Sequence, residues 1–190
     1  MIRVGVLALQ GAFVEHEDVL EGLGANVFEI RRRSDLDEGI DALVFPGGES
    51  TVMGKLAHEL GLFGPLRDAI LGGLPVLGTC AGMIMLAQDV DGGVPLFATM
   101  PVSVRRNAYG RQLGSFSARA GFVGSEIPLE FIRAPMITWV GEGVETLCRL
   151  DGVPVAVRYG NQVACAFHPE LTGDATVHRY FLDLVRPEGW

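Results

Sequence analysis

The chain has 190 residues, enough for one well-filled core and short for two, so a single domain spanning residues 1–190 is expected. Apolar residues make up 48% of it, which excludes a disordered chain, and a formal charge of −8 leaves no broad basic surface to neutralise the phosphates of a nucleic acid. The three cysteines, Cys80, Cys148 and Cys165, are odd in number and lack disulfide-framework or metal-ligand spacing, so a reducing, cytoplasmic compartment and no metal site are expected.

In chain order, the apolar opening at residues 1–9 is short and runs into Glu15-His16-Glu17-Asp18 without a cleavage site. It reads as a buried first strand, not a signal peptide. No later apolar run has membrane-spanning length, so no membrane contact is expected. Phe13, His16, Leu20 and Leu23 then recur at helical spacing until Gly24. Residues 25–30 and 42–45 read as second and third strands, the latter broken by Pro46-Gly47-Gly48. Glu49 or Ser50 caps the next helix, whose Met53, Leu56, Ala57 and Leu60 form one face before Gly61. A short helix at residues 65–71 leads to a fourth strand at 74–77. This alternation of strand and helix implies a parallel sheet covered on both faces.

After strand four comes Gly78-Thr79-Cys80-Ala81-Gly82, then a run at residues 83–87 that is apolar on every side and reads as a buried helix. Residues 102–157 change character: short β-rich segments separated by glycine and proline read as antiparallel strands inserted at an edge of the sheet. The strand-helix rhythm returns with a strand at 162–167 and a last helix carrying Val177, Tyr180, Phe181, Leu184 and Val185 on one face.

A strand that turns sharply into a helix needs glycines where a side chain would collide, and the residue at the turn is thrust out at the helix N-terminus. Cys80 in that place is a candidate nucleophile, because unpaired N–H groups there favour negative charge on sulfur. Alternatively it is a small core residue. His168 follows the last strand as Cys80 follows its own, and it is either a base for the thiol or a histidine closing a strand end. Glu170, two residues on, can reach back to the imidazole across Pro169 and orient it. The N–H groups of Gly47, Gly48 and Ala81 could form an oxyanion hole, unless Pro46-Gly47-Gly48 is a plain turn.

The other ionisable residues offer less. His16 reads as a packed or interface histidine, and His58 and His178 as solvated helix residues. Arg31-Arg32-Arg33 reads as a solvated face. Arg106 and Arg133, in loop-rich stretches amid few other charges, are candidates for substrate or interface contacts, while Cys148 and Cys165 read as core.

These residues together resemble the class I, triad-type glutamine amidotransferases. The branch most similar is the one that serves pyridoxal 5′-phosphate synthases. The resemblance runs nearly end to end. It is carried by Val6-Leu7-Ala8-Leu9-Gln10-Gly11-Ala12, Pro46-Gly47-Gly48-Glu49-Ser50-Thr51, the Cys80 turn and Arg106-Asn107. It continues through Gly110-Arg111-Gln112, Phe131-Ile132-Arg133-Ala134-Pro135 and Phe167-His168-Pro169-Glu170-Leu171-Thr172.

It implies a flavodoxin-like three-layer α/β/α fold and hydrolysis of L-glutamine to glutamate and ammonia, with no cofactor. Cys80 would form a thioester, His168 would transfer protons and Glu170 would orient His168. Gly48, Glu49, Ser50, Arg106, Ile132 and Arg133 would contact glutamine. The implied partner is a (β/α)₈-barrel synthase subunit that receives the ammonia, and a Gly47-Gly48 peptide able to reorient would be a candidate switch on docking. Arg105 and Ala108-Tyr109 depart from the family pattern of an acidic residue and Ser-Phe. The alternatives are a glutaminase of another pathway, such as histidine or purine biosynthesis, a flavodoxin-like cysteine redox sensor or chaperone, and an interaction module.

Overall fold

A computed structural model describes residues 1–37, 39–108 and 114–185. Tyr109 and the Gly110-Arg111-Gln112 motif lie outside the described residues. Strand β1 (Arg3–Leu7) leads into α1 (Phe13–Gly22), β2 (Asn26–Ile30), a 3-10 turn (Arg33–Leu36) and β3 (Ala42–Phe45). Two helices follow, α2 (Ser50–Glu59) and α3 (Phe63–Leu71), then β4 (Val76–Thr79), α4 (Ala81–Leu86), β5 (Ala87–Asp91) and β6 (Met100–Arg105). The antiparallel part comprises β7 (Ser115–Phe122), β8 (Ser125–Ile132), β9 (Met136–Val140), β10 (Glu145–Leu150) and β11 (Val153–Tyr159). The chain closes with β12 (Gln162–Cys165), a 3-10 turn (Pro169–Leu171) and α5 (Thr176–Val185).

One nine-stranded sheet has the order β2-β1-β3-β4-β12-β11-β10-β7-β8. Its first five strands are parallel, and the rest continue antiparallel from β12. Every residue of β3, β4 and β12 is buried, as the centre of a sheet covered on both faces requires. From β1 the chain crosses to β2 on one side, and from β3 it crosses to β4 on the other. Right-handed crossovers therefore put α1 on one face and α2 and α3 on the opposite one. Helix α4 packs on α2, and α5 joins α1 through a contact between His16 and His178. This is the expected flavodoxin-like layering.

The antiparallel insertion is more divided than the sequence reading has it. The hairpins β7-β8 and β10-β11 extend the large sheet, whereas β5, β6 and β9 form a separate three-stranded sheet. Both hairpins turn on residue pairs with positive φ, Val123-Gly124 and Asp151-Gly152, the conformation that matches strand twist. The buried helix after Cys80 spans α4, and Ala87 already starts β5. Leu60 lies past the end of α2 and is 40% exposed, so it does not belong to that helix's buried face. Phe63 and Phe45 each pack on Phe97, with ring centroids 4.7 and 4.8 Å apart, and tie α3 to β3. Such pairs contribute about 0.5–1.5 kcal/mol each beyond their burial. Among the described residues no helix is long and apolar enough to cross a membrane.

Candidate active site

The loops after β1, β3, β4 and β12 emerge side by side at the carboxyl ends of the parallel strands, where the chain reverses its direction of travel across the sheet. Open α/β sheets bind ligands in that crevice. Here it is a cavity of about 390 Å³.

β4 ends at Thr79 and α4 starts at Ala81, so Cys80 alone turns the chain, with φ 49° and ψ −101°. Such a conformation costs on the order of 1–3 kcal/mol for a residue other than glycine, and it is held by what surrounds it. The Cys80 N–H donates to the Cys165 carbonyl at 2.8 Å, and Cys80 itself is 7% exposed. The flanking glycines are required by contact. A Cβ on Gly82 would lie 2.0 Å from the Phe45 carbonyl oxygen, and one on Gly78 would lie 2.8 Å from that of Gly82.

His168 follows β12, and its N–H is tied to the Glu130 carbonyl of β8 at 2.8 Å. Its Nδ1 lies 2.6 Å from Glu170 Oε1, and its ring lines the same cavity as Cys80. The Glu170 carboxylate reaches His168 through the 3-10 turn at Pro169–Leu171, not through the extended backbone that the sequence reading assumes. Burial opposes charge on His168, but the hydrogen bonds and charges of Cys80 and Glu170 outweigh it and push the imidazole pKa up to about 10. The surroundings of Cys148 and Cys165 disfavour a thiolate. Burial pushes Cys148 up to about 11 and is the main cause that raises Cys165 well above its ordinary value.

The Gly47 carbonyl accepts from the Ala12 N–H at 2.9 Å. Its peptide is trans, so the Gly48 N–H points away from Ala12. A Cβ on Gly47 would fall 2.2 Å from His168 Cε1, so this glycine lies against the imidazole. Ala81 opens α4, where its N–H has no partner within the helix.

Glu49, not Ser50, caps α2: its carboxylate accepts from the N–H groups of Thr51 at 3.1 Å and Val52 at 2.8 Å. Arg106 clamps the same carboxylate at 2.8 Å and the Thr51 hydroxyl at 3.1 Å. Partial burial works against the charge on Glu49, but these donors hold its carboxyl below the ordinary value. Ile132 is 38% exposed, and its carbonyl lies 3.9 Å from Cys80 Sγ. Arg133 has φ 46° and its N–H donates to the Gly114 carbonyl. Of the residues to which the sequence gives a catalytic, oxyanion or glutamine-binding role, only Glu170 does not line the cavity, because it stands behind His168.

The cavity is also lined by Gln10, Gly11, Ala12, Glu15, Asn107 and Leu171, to which the sequence reading gives no site role. Gln10 Oε1 accepts from the Glu49 N–H at 2.6 Å, and a Cβ on Gly11 would meet the Gly47 carbonyl oxygen at 1.8 Å. The position of Gln10-Gly11 at the end of β1, beside the end of β3, is the signal that could have found them.

His178 is a correction. Expected in solvent, it is fully buried against His16, because α5 turns His178, Phe181 and Leu182 inward together. Arg31, Arg32 and Arg33 pair with Glu29, Asp35 and Asp37 at the surface, as a solvated face does. A larger cavity, about 580 Å³, opens at the amino-terminal ends of the strands, beside Ile2, Pro75 and Asn161, and is lined by none of the candidate site residues.

Fold and site define a class, the α/β enzymes that present a thiol on a strand-to-helix turn beside a histidine and a carboxylate. Residues 6–186 match the SNO glutamine amidotransferase family, and the chain belongs to it. It is an enzyme of glutamine hydrolysis. It is 57% identical to the pyridoxal 5′-phosphate synthase subunit PdxT of Methanocorpusculum labreanum, over 97% of this chain and 98% of that one. The protein of the same description from Desulfitobacterium hafniense is 53% identical, over 97% of this chain and 94% of its own. A crystal structure of a glutamine amidotransferase superposes with a TM-score of 0.91 at 47% identity, covering 96% of this chain and 98% of the other.

Proposed function

We propose that residues 1–190 form a single glutaminase domain that supplies ammonia to a pyridoxal 5′-phosphate synthase, with Cys80, His168 and Glu170 as its triad. The observation that carries this reading is the 2.6 Å contact between Glu170 Oε1 and His168 Nδ1, standing behind a cavity of about 390 Å³ that His168 and Cys80 both line.

In the reaction, Cys80 Sγ attacks the side-chain amide carbon of L-glutamine. The negative charge that develops on the carbonyl oxygen meets the N–H groups of Gly48 and Ala81 beside Gly47, and one such donor is worth roughly 3–4 kcal/mol in a studied hydrolase. His168, holding its proton through neutral pH, gives it to the departing nitrogen as the carbon–nitrogen bond breaks. Ammonia leaves and a thioester remains. His168, now neutral, takes a proton from water, whose oxygen attacks the thioester. The carbon–sulfur bond breaks and glutamate departs, with the proton back on the Cys80–His168 pair. Arg106 and Glu49 at the rim, with Ser50, Ile132 and Arg133, hold the amino-acid end of the substrate.

Ammonia freed into water at neutral pH is protonated and loses its nucleophilicity, so a protected route to a partner is the chemically sensible use of it. The partner is a (β/α)₈-barrel synthase subunit in a hetero-oligomer, and its docking sets the Gly47-Gly48 peptide. Three buried, unpaired thiols suit a cytoplasmic enzyme. The test is glutamate release from L-glutamine with and without the synthase subunit. Activity that rises with the partner and is lost in Cys80→Ala and His168→Asn supports the reading. Absence of glutamate under both conditions, or turnover that survives the variants, overturns it.

A further inference from the structure

Three elements meet behind Glu170. α1 contributes His16, α5 contributes His178 and β4 contributes Thr79, each with no exposed surface. His16 Nδ1 lies 2.9 Å from His178 Nε2, while His16 Nε2 lies 3.0 Å from Thr79 Oγ1 and 3.4 Å from Glu170 Oε2. Glu170 Oε1 is committed to His168. Its Oε2 is buried and makes no hydrogen bond of full geometry among the described residues. A buried carboxylate oxygen without donors is costly, so the face that His16 turns toward it matters.

One arrangement of protons suits this cluster. With its proton on Nε2, His178 donates to His16 Nδ1, which is then the bare nitrogen of that ring. The proton of His16 must sit on Nε2, toward Thr79 and Glu170. The reverse arrangement would aim a lone pair of His16 at the carboxylate oxygen 3.4 Å away. It would also bury an N–H at His178 Nδ1, an atom with no partner among the described residues. An orphaned donor and a repulsive contact are both avoided by the first arrangement. Burial, followed by the nearby His178 and His168, pushes His16 well below its ordinary value, and burial pushes His178 to about 4, so neither ring carries charge at neutral pH.

We propose that His16 and His178 are positioning residues of this site: His178 fixes the tautomer of His16, and the His16 Nε2–H then steadies the outer oxygen of Glu170. The inner oxygen is thereby held on His168 Nδ1, and His168 Nε2 stays aimed at Cys80. The effect on turnover rests on the glutaminase reading; the tautomer does not.

The test has two arms. Long-range proton–nitrogen spectra of the full ¹⁵N-labelled chain should show both His16 and His178 protonated at Nε2 and bare at Nδ1. A His16 protonated at Nδ1 overturns the proposal without any substitution, so it stands or falls even if variants fail to fold. In the complex with the synthase subunit, His178→Leu should lower kcat on the order of tenfold, as loss of an outer hydrogen-bond partner does elsewhere, with KM unchanged. His178→Gln, whose side-chain N–H takes the place of Nε2–H, should recover most of that loss. Equal kcat in the two variants, or a change confined to KM, contradicts the positioning role. If the wild-type complex releases no glutamate, the glutaminase reading fails, and the spectra still decide the tautomer.

Discussion

His168 Nδ1 and Glu170 Oε1 lie 2.6 Å apart with one proline between the two residues in sequence. Together with Cys80, this contact outweighs burial and lifts the imidazole to about 10. The native chain therefore holds a proton on His168 that the unfolded chain releases near pH 6.5. The stability this residue contributes is full below about pH 6.5 and is lost as pH rises through about 10, with a slope of up to about 1.4 kcal/mol per pH unit. Urea unfolding of wild type and His168→Asn at several pH values measures it. The difference between them should shrink steadily across that window.

Replacing Glu170 with glutamine keeps the shape and removes the charge that faces His168. Glu170→Gln should lower kcat on the order of a hundredfold or more, by analogy with the loss of a triad carboxylate elsewhere, and leave KM nearly unchanged. Steady-state glutamate release in the synthase complex checks both parameters.

Gly47 and Gly82 separate geometry from folding. Gly47→Ala puts a methyl 2.2 Å from His168 Cε1, so the imidazole must shift. A displacement of that size costs about a hundredfold in turnover while the chain still folds. Gly82→Ala pushes instead on the Phe45 backbone at 2.0 Å, which cannot swing aside. It should destabilise the fold by about 1–3 kcal/mol. Thermal melting and turnover, measured on both variants, should give opposite rankings.

Glu49 has a structural duty whatever it does for substrate. Its carboxylate takes two N–H groups of α2 and one arm of Arg106. Glu49→Ala should cost about 1 kcal/mol in denaturant unfolding, the usual value of a lost cap, and should raise KM by releasing Arg106.

The strand-to-helix turn at Cys80 and the glycines around it were legible because backbone collisions impose the glycines: Gly82 against Phe45 is a steric demand that the sequence must meet. His168 and Glu170 were legible because they are close in sequence. Gln10 was harder to assign, since its contact with the Glu49 N–H exists only once β1 and β3 pair and bring two distant loops together. His178 was misread for a related reason. The apolar stripe of α5 suggests one buried face, yet the helix is rotated so that His178, Phe181 and Leu182 point inward, and a histidine among apolar residues becomes buried only when a partner such as His16 satisfies it. The three-stranded sheet of β5, β6 and β9 was hidden because β6 and β9 are separated in sequence by β7 and β8, so no turn links them directly.

That Cys80 is the atom which attacks glutamine is tested most directly by covalent capture. The synthase complex is treated with a diazoketone analogue of L-glutamine, and peptides are mapped by mass spectrometry. The expected result is one adduct on Cys80, slowed by excess L-glutamine and lost in His168→Asn, with Cys148 and Cys165 unmodified. An unmodified Cys80, or an adduct that glutamine does not compete with, contradicts the assignment.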